Sequence, residues 1–423
     1  MSLWAWRWQR GWPRVSGTAA PPALAGMIAA AVVLSAALAD SAAAGAPRPG
    51  RPATDTLVRP VAVFGNDDRV ALPERLAATA SRIGVLFNNP ARSVCSAFCV
   101  GPAMIATAAH CVAVTTPQGS RMRPADFLFA RAYDRERDYA RIEAYSTGSA
   151  AQHILTGEFR LNVRPPIDAA RDWALVRLER PICRGSGLPI QPAASGDILA
   201  AAQAGRIFNI AYHRDLPTWT PTYSGPCHAA RDFGASEWSS IAPDFESPDQ
   251  IILHTCDTGG ASSGSPILAE GPQGPVVVAI NVGTYVQSRV VTQQGQVTHR
   301  QHTETIANTA VNATVFAEYV ARFQAAQILA TGAPIRQLQE HLAALNFYAG
   351  RADGDYGPVL KAAIVDYERA QGVPVTGLAT AQLLSRLVAQ VTTRHRPTSA
   401  PLPDASQLPP PALGAPAPAQ APR

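Results

Sequence analysis

The segment CDTGGASSGSPI, residues 256–267, constrains this chain more than any other, with three serines, three glycines and a proline in twelve positions. Glycine reaches positive φ at no steric cost and serine bonds its own backbone, so composition alone reads the stretch as a turn. The chemical alternative is that one serine is a nucleophile. A serine hydroxyl attacks a carbonyl at neutral pH only when a neighbouring base takes its proton and a third group orients that base. A histidine and a carboxylate in suitable settings would therefore decide between the two readings.

Both are present. CSAFCVGPAMIATAAHC, residues 95–111, reads as a strand, a Gly101-Pro102 turn, a second strand and a tight turn presenting His110. In DWALVRL, residues 172–178, Asp172 precedes Ala174, Val176 and Leu178, which alternate as in a half-buried strand. Taken singly, His110 reads as a structural or surface histidine and Asp172 as a strand-end cap.

Through VFGNDDR (63–69), TAAHC, DWALVRL and SSGSP, the chain resembles the chymotrypsin-fold serine endopeptidases, and within them the bacterial glutamyl-endopeptidase-like branch. The similarity covers roughly residues 61–327, and His110, Asp172 and Ser263 follow in the family's order, 62 and then 91 residues apart. It implies a mainly β fold, a chymotrypsin-like double antiparallel β-barrel of six strands each, acting on polypeptides with neither cofactor nor metal. It maps the nucleophile onto Ser263, the general base and acid onto His110, the orienting carboxylate onto Asp172, and the oxyanion hole onto the N–H groups of Ala261 and Ser263. Ser265 would be structural. Ala261 stands where the family usually has glycine, so an alanine must tolerate the turn that aims its N–H. Ser262 stands where trypsin-like zymogens carry an aspartate for a newly freed terminal amine, and activation by that ion pair is not expected. Two alternatives remain open: a wall-binding protein that keeps the fold without activity, and a peptidase acting on cell-wall cross-link peptides.

For specificity, the resemblance points to Asp257 and Thr258 upstream of the nucleophile and to Asn281 on a later strand. Asp257 lies where trypsin-like members select Arg or Lys, but its DTxGG setting also occurs in the glutamyl branch. That branch receives the substrate's charge on a histidine where this chain has Asn281, so the preferred residue stays open. Equally, Asp257 reads as a turn residue bonded to loop amides.

The six cysteines suit an oxidising compartment. The resemblance pairs Cys95 with Cys111 around the histidine loop; Cys227 and Cys256 bracket the approach to the serine loop and are read as a second pair. Cys99 and Cys183 are left as the third pair. Zinc is disfavoured, because the chain lacks a CxxC motif.

At 423 residues, 47% of them hydrophobic, the chain can bury a large core and form several domains. Its net charge of +5 comes from scattered arginines, with Lys361 as the only lysine, and no basic run or aromatic platform suggests nucleic-acid binding. Residues 1–46 read as an export signal: Arg7, Arg10 and Arg14 precede an apolar run over 23–39 and small residues suited to cleavage near Ala43 or Ala44. The protein is thus expected to be periplasmic or secreted, with a membrane as partner only if that segment stays uncleaved.

The peptidase-like region is taken as 61–330. After Thr303 the pattern turns helical, with Val311, Phe316, Tyr319, Val320 and Phe323 at three- to four-residue spacing. Residues 334–390 then form three amphipathic stripes: Ile335, Leu338, Leu342 and Leu345; Leu360, Ile364 and Tyr367 after Pro358; and Leu383, Leu384 and Leu387 after Thr380. Through 338–377, and its DGDYGP loop above all, this small C-terminal three-helix domain is similar to the peptidoglycan-binding module, which makes peptidoglycan a second partner. The alternative is a small helical docking domain. Residues 392–423 hold nine prolines and no apolar periodicity, the composition of a disordered tail.

Overall fold

The computed structural model describes residues 62–394 except 114–125, 134–137, 144–149, 158–164, 184, 186, 230–240 and 294–295. The expected signal and most of the Pro-rich tail lie outside these residues. Among them, no helix is long and apolar enough to cross a membrane.

Strand β1 (Val70–Ala71) belongs to the second of two antiparallel sheets. The first contains β2 (Ile83–Asn88), β3 (Ser93–Gly101), β4 (Met104–Thr107), β5 (Phe127–Arg131), β6 (Tyr139–Ala140), β7 (Ile154–Thr156) and β8 (Ala174–Arg177), in the order β6-β5-β2-β3-β4-β8-β7. It closes on itself: Ile142 bridges Leu178, Glu143 N–H donates to the Arg177 carbonyl at 3.0 Å, and Glu179 N–H to that of Arg141 at 2.9 Å. The second contains β1, β9 (Ile207–Ala211), β10 (Thr222–Ser224), β11 (Ile251–His254), β12 (Pro266–Gly271), β13 (Gly274–Gln293) and β14 (Gln296–Asn312), in the order β1-β10-β9-β12-β13-β14-β11. Its far edges approach again where Thr255 N–H donates to the His228 carbonyl at 2.8 Å, beside the Cys227–Cys256 disulfide. Among the described residues each sheet has seven strands where six were expected, because the short β7 and β1 add to the edges.

Strand β8 differs from its half-buried pattern. Ala174, Leu175 and Val176 are all fully buried, because the outer face is covered as well as the inner. Helix α1 (Ser195–Gln203) packs on β9, and α2 (Ala313–Ala325) supplies the cover for β8. The indole of Trp173 lies 6.3 Å from the Phe316 ring and 5.2 Å from that of Tyr319. The Arg177 guanidinium caps the end of α2, donating to the carbonyls of Gln324 at 3.0 Å and Ala326 at 2.7 Å. Val311, placed by its spacing on that helix, lies instead on β14, which continues to Asn312. Asn312 then caps α2 through the Thr314 N–H at 2.9 Å.

The three helices α3 (Ala333–Ala344), α4 (Pro358–Ala370) and α5 (Ala381–Arg394) bury Ile335, Leu338, Leu342, Leu360, Ile364, Tyr367, Leu383 and Leu387 against one another. Helix α5 includes Thr392, which the composition assigned to the tail. Gln339 is buried under the DGDYGP loop, donating to Asp353 Oδ1 at 2.8 Å and accepting from Gly354 N–H at 2.8 Å. The bundle is joined closely to the barrels: Leu329 N–H donates to the Ala379 carbonyl at 2.9 Å, and Leu378 is buried in the same cluster as the barrel core.

Candidate active site

Three segments distant in sequence meet between the barrels. Strand β4 ends at Thr107, and the chain turns into a single helical turn, Ala109–Val112, that carries His110. Asp172 follows the turn Ala169–Arg171 and stands just before β8. Because β4 and β8 are paired, Thr107 opposite Ala174, the two side chains are delivered to the same end of the barrel. Asp172 is buried; its Oδ1 accepts the main-chain N–H of His110 at 3.0 Å, and its Oδ2 lies 2.7 Å from His110 Nδ1. Burial opposes a charge on the imidazole. The charge of Asp172 and its hydrogen bond outweigh that, leaving the His110 pKa above its ordinary value.

The serine loop reaches this pair from the second barrel. Ser263 is half-buried, and its carbonyl accepts the Ser96 N–H of β3 at 2.9 Å, while Cys111 Sγ lies 3.8 Å from the same oxygen. The disulfide Cys95–Cys111 holds the histidine turn against β3. Ser96 ties the serine loop to the end of β4: its Oγ donates to the Ala261 carbonyl at 2.9 Å and accepts the Tyr212 N–H at 3.0 Å, and its carbonyl accepts from Thr107 Oγ1 at 2.9 Å. Gly264 is tightly enclosed, and a Cβ there would lie 2.1 Å from Thr107 Oγ1 and 2.3 Å from the Ser96 carbonyl oxygen. The third disulfide, Cys99–Cys183, joins β3 to the segment after β8.

Within the loop, the N–H groups of Ser262, Gly264 and Ser265 bond to the carbonyls of Gly259, Asn281 and Ser262. Among the described residues, those of Ala261 and Ser263 have no acceptor. Ala261 adopts φ +85°, the left-handed turn that glycine makes without strain. The loop is clamped from outside. Arg214 N–H donates to the Gly260 carbonyl at 2.5 Å, Gly259 N–H donates to His213 Nδ1 at 3.1 Å, and a buried Arg69 guanidinium lies between Asp67 and Asp215, 2.7 Å from each. Burial and the nearby Arg69 charge lower the His213 pKa to about 4, so it accepts as a neutral base.

The three residues assigned to specificity are all buried and hydrogen-bonded. Asp257 Oδ1 accepts the Phe64 N–H and Oδ2 the Asp68 N–H, each at 2.8 Å, the turn-residue arrangement that the sequence left open. Burial raises its pKa against the lowering effect of those two amides. Thr258 exchanges two main-chain bonds of 3.0 Å with Ala62. The Asn281 amide faces Ser262 and His254. The roles of Ser96, His213 and His254 carried no signal in the sequence, since each acts through a partner far along the chain. Cys95, His110 and Cys111 bring three potential metal-ligand atoms together, but the two sulfurs are bonded to each other and offer no thiolate.

Residues 95–280 match the trypsin-like peptidase domain family, and residues 331–387 match the family described as a putative peptidoglycan binding domain. Nothing among curated proteins matches the chain. Among solved structures it is similar to a Glu endopeptidase in complex with MPD, at 14% identity and a TM-score of 0.42, over 62% of this chain and 99% of that one. The double barrel and the matched domain define the class: this is a serine-type endopeptidase of chymotrypsin-like fold. It carries, in addition, a C-terminal domain of the peptidoglycan-binding type.

Proposed function

We propose that the protein is an exported endopeptidase that hydrolyses peptide bonds through Ser263, His110 and Asp172 and is held at peptidoglycan by its C-terminal helices. The observation that carries this reading is the two-point contact of Asp172 with His110 beside a loop whose Ala261 and Ser263 N–H groups are unused among the described residues. Ser263 Oγ attacks the scissile carbonyl while His110 Nε2 takes its proton, and Asp172 stabilises the imidazolium. The tetrahedral oxyanion is met by the Ala261 and Ser263 N–H groups, each such donor being worth about 10²–10³ in rate. His110 returns the proton to the leaving amine, and water then hydrolyses the acyl-enzyme by the same steps. Asp257, Thr258 and Asn281 act as supports of the specificity pocket wall.

Export is supported by the amino-terminal pattern and by six cysteines that are all paired. The test is labelling of the purified protein, signal removed and disulfides formed, with a fluorophosphonate probe beside Ser263→Ala and His110→Ala. Labelling of the wild type alone supports the reading; an unlabelled wild type overturns it. Co-sedimentation of the Ser263→Ala protein with peptidoglycan sacculi tests retention separately, and a protein left wholly in the supernatant would remove the wall from this reading.

A further inference from the structure

Behind the serine loop, the amide of Asn281 on β13 is locked in one orientation. Its Oδ1 lies 3.2 Å from His254 Nε2, and its Nδ2 lies 3.1 Å from the Ser262 carbonyl oxygen and 3.3 Å from Ser262 Oγ. A carbonyl oxygen can only accept, so Nδ2 must face Ser262 and Oδ1 must take a proton from His254. His254, on β11, is completely buried, and because its Nε2 faces the acceptor Oδ1 its ring presents Nε2–H. A reversed amide would set oxygen against oxygen at the Ser262 carbonyl.

The Ser262 carbonyl and the Ser263 N–H belong to one trans peptide, so they point in opposite directions, and whatever fixes the carbonyl aims the N–H. The Ser265 N–H also donates to that carbonyl, at 3.0 Å, but it moves with the loop. Asn281 is anchored in the sheet. Its own N–H donates to the Ser265 carbonyl at 2.9 Å, and its carbonyl accepts the Gly264 N–H at 2.7 Å. The Ala261 N–H is oriented differently, through the main-chain bond between Arg214 and the Gly260 carbonyl.

We infer that His254 is a positioning residue for the oxyanion site: by holding the Asn281 amide it fixes the Ser262–Ser263 peptide plane and so aims the Ser263 N–H at the developing charge. The inference rests on Ser263 being the nucleophile. His254 remains neutral through the working range, because burial lowers its pKa to about 4 against the opposing bond to Asn281.

The test is saturation kinetics of fluorophosphonate labelling on the full disulfide-bonded chain, separating the rate at saturation from the probe's apparent affinity. His254→Leu removes the donor to Asn281. His254→Gln can place an N–H close to where the imidazole had one. Asn281→Asp keeps an acceptor for His254 and removes the donor to Ser262. The saturating rate is expected to fall about 10- to 100-fold in His254→Leu and Asn281→Asp, less than for a deleted donor because the N–H is misaimed rather than absent. In His254→Leu the affinity should change by less than about 2-fold, and His254→Gln should recover most of the rate. A wild-type rate in Asn281→Asp overturns the inference, as does His254→Gln labelling as slowly as His254→Leu. If His254→Leu fails to fold, His254→Gln is compared with Asn281→Asp instead, and labelling as slow as Asn281→Asp overturns the inference. An unlabelled wild type removes the assignment of Ser263 and this inference with it, whereas a labelled wild type with unaltered variants removes this inference alone.

Discussion

Asp172 grips His110 at two points, one oxygen on its main-chain N–H at 3.0 Å and the other 2.7 Å from Nδ1. The first contact fixes the turn; the second fixes the ring and its tautomer. Asp172→Asn offers one acceptor where two are needed, and its effect on labelling should approach the ~10⁴-fold loss typical of this substitution in a Ser-His-Asp site. The pH dependence should move with it. Activity needs neutral His110, and a pKa held above the ordinary histidine value places the acid limb of the rate profile at higher pH than a free imidazole would. Without the carboxylate's charge, the residual activity of Asp172→Asn should show that limb shifted to lower pH. A limb that stays in place would show that Asp172 does not set the titration.

Stability against acid is expected to follow other histidines. His153, His213 and His254 are each buried, with pKa values lowered from 6.5 to about 4, first by burial and, for His153 and His213, also by an arginine charge. Their folded forms resist protonation, so their contribution is fully present above about pH 6.5 and is lost as pH falls through about 4, on the order of 3 kcal/mol apiece. His110 has the opposite sign: its raised pKa favours the folded state at low pH, and that contribution is lost as pH rises through the folded value. The thermal midpoint should therefore fall steeply between pH 6.5 and 4, and His254→Gln should reduce the slope. Melting curves across that range check it, and equal slopes in the two proteins would refute it.

Legibility in the sequence followed the range of the interaction. His110, Asp172 and Ser263 each sit in a compact motif, and the β4–β8 pairing that joins the first two is written in two short apolar strands. The helices α3, α4 and α5 have local stripes closed by proline and glycine. Arrangements set by distant partners were not legible. Ser96 bonds Ala261 from 165 positions away, and Asp257 receives amides from 193 and 189 positions away, so neither neighbourhood carries a trace of the other. Strand β14 was misread near Val311 because an apolar residue at a strand end fits a helical spacing equally well.

Ala261 carries backbone strain that glycine would not. At φ +85° a Cβ costs roughly 1–2 kcal/mol, while glycine returns about 0.5–1 kcal/mol through the freedom of the unfolded chain. Ala261→Gly should thus stabilise the protein by about 0.5–1 kcal/mol, read as a small rise in melting temperature. Labelling should be at least as fast as in the wild type, because the N–H keeps its direction through the Gly260 carbonyl. A lowered melting temperature would mean that the buried methyl contributes more through packing than its turn costs.

Asp257 separates a structural acid from a specificity acid. Its two oxygens accept the N–H groups of Phe64 and Asp68, its own N–H donates to Ser224 Oγ at 2.8 Å, and Ser224 Oγ donates in turn to Asp68 Oδ1 at 2.8 Å. Asp257→Asn supplies one acceptor and one donor to a place that presents two donors, leaving a buried N–H unpaired at a cost of about 1–3 kcal/mol. The expected result is a lower melting temperature with cleavage reduced evenly across a peptide library. An acid that recognised a basic side chain would behave differently, because its loss would abolish cleavage after Arg and Lys while sparing other sites. Profiling the wild type and Asp257→Asn on one library distinguishes the two, and a selective loss at basic residues would return Asp257 to the substrate.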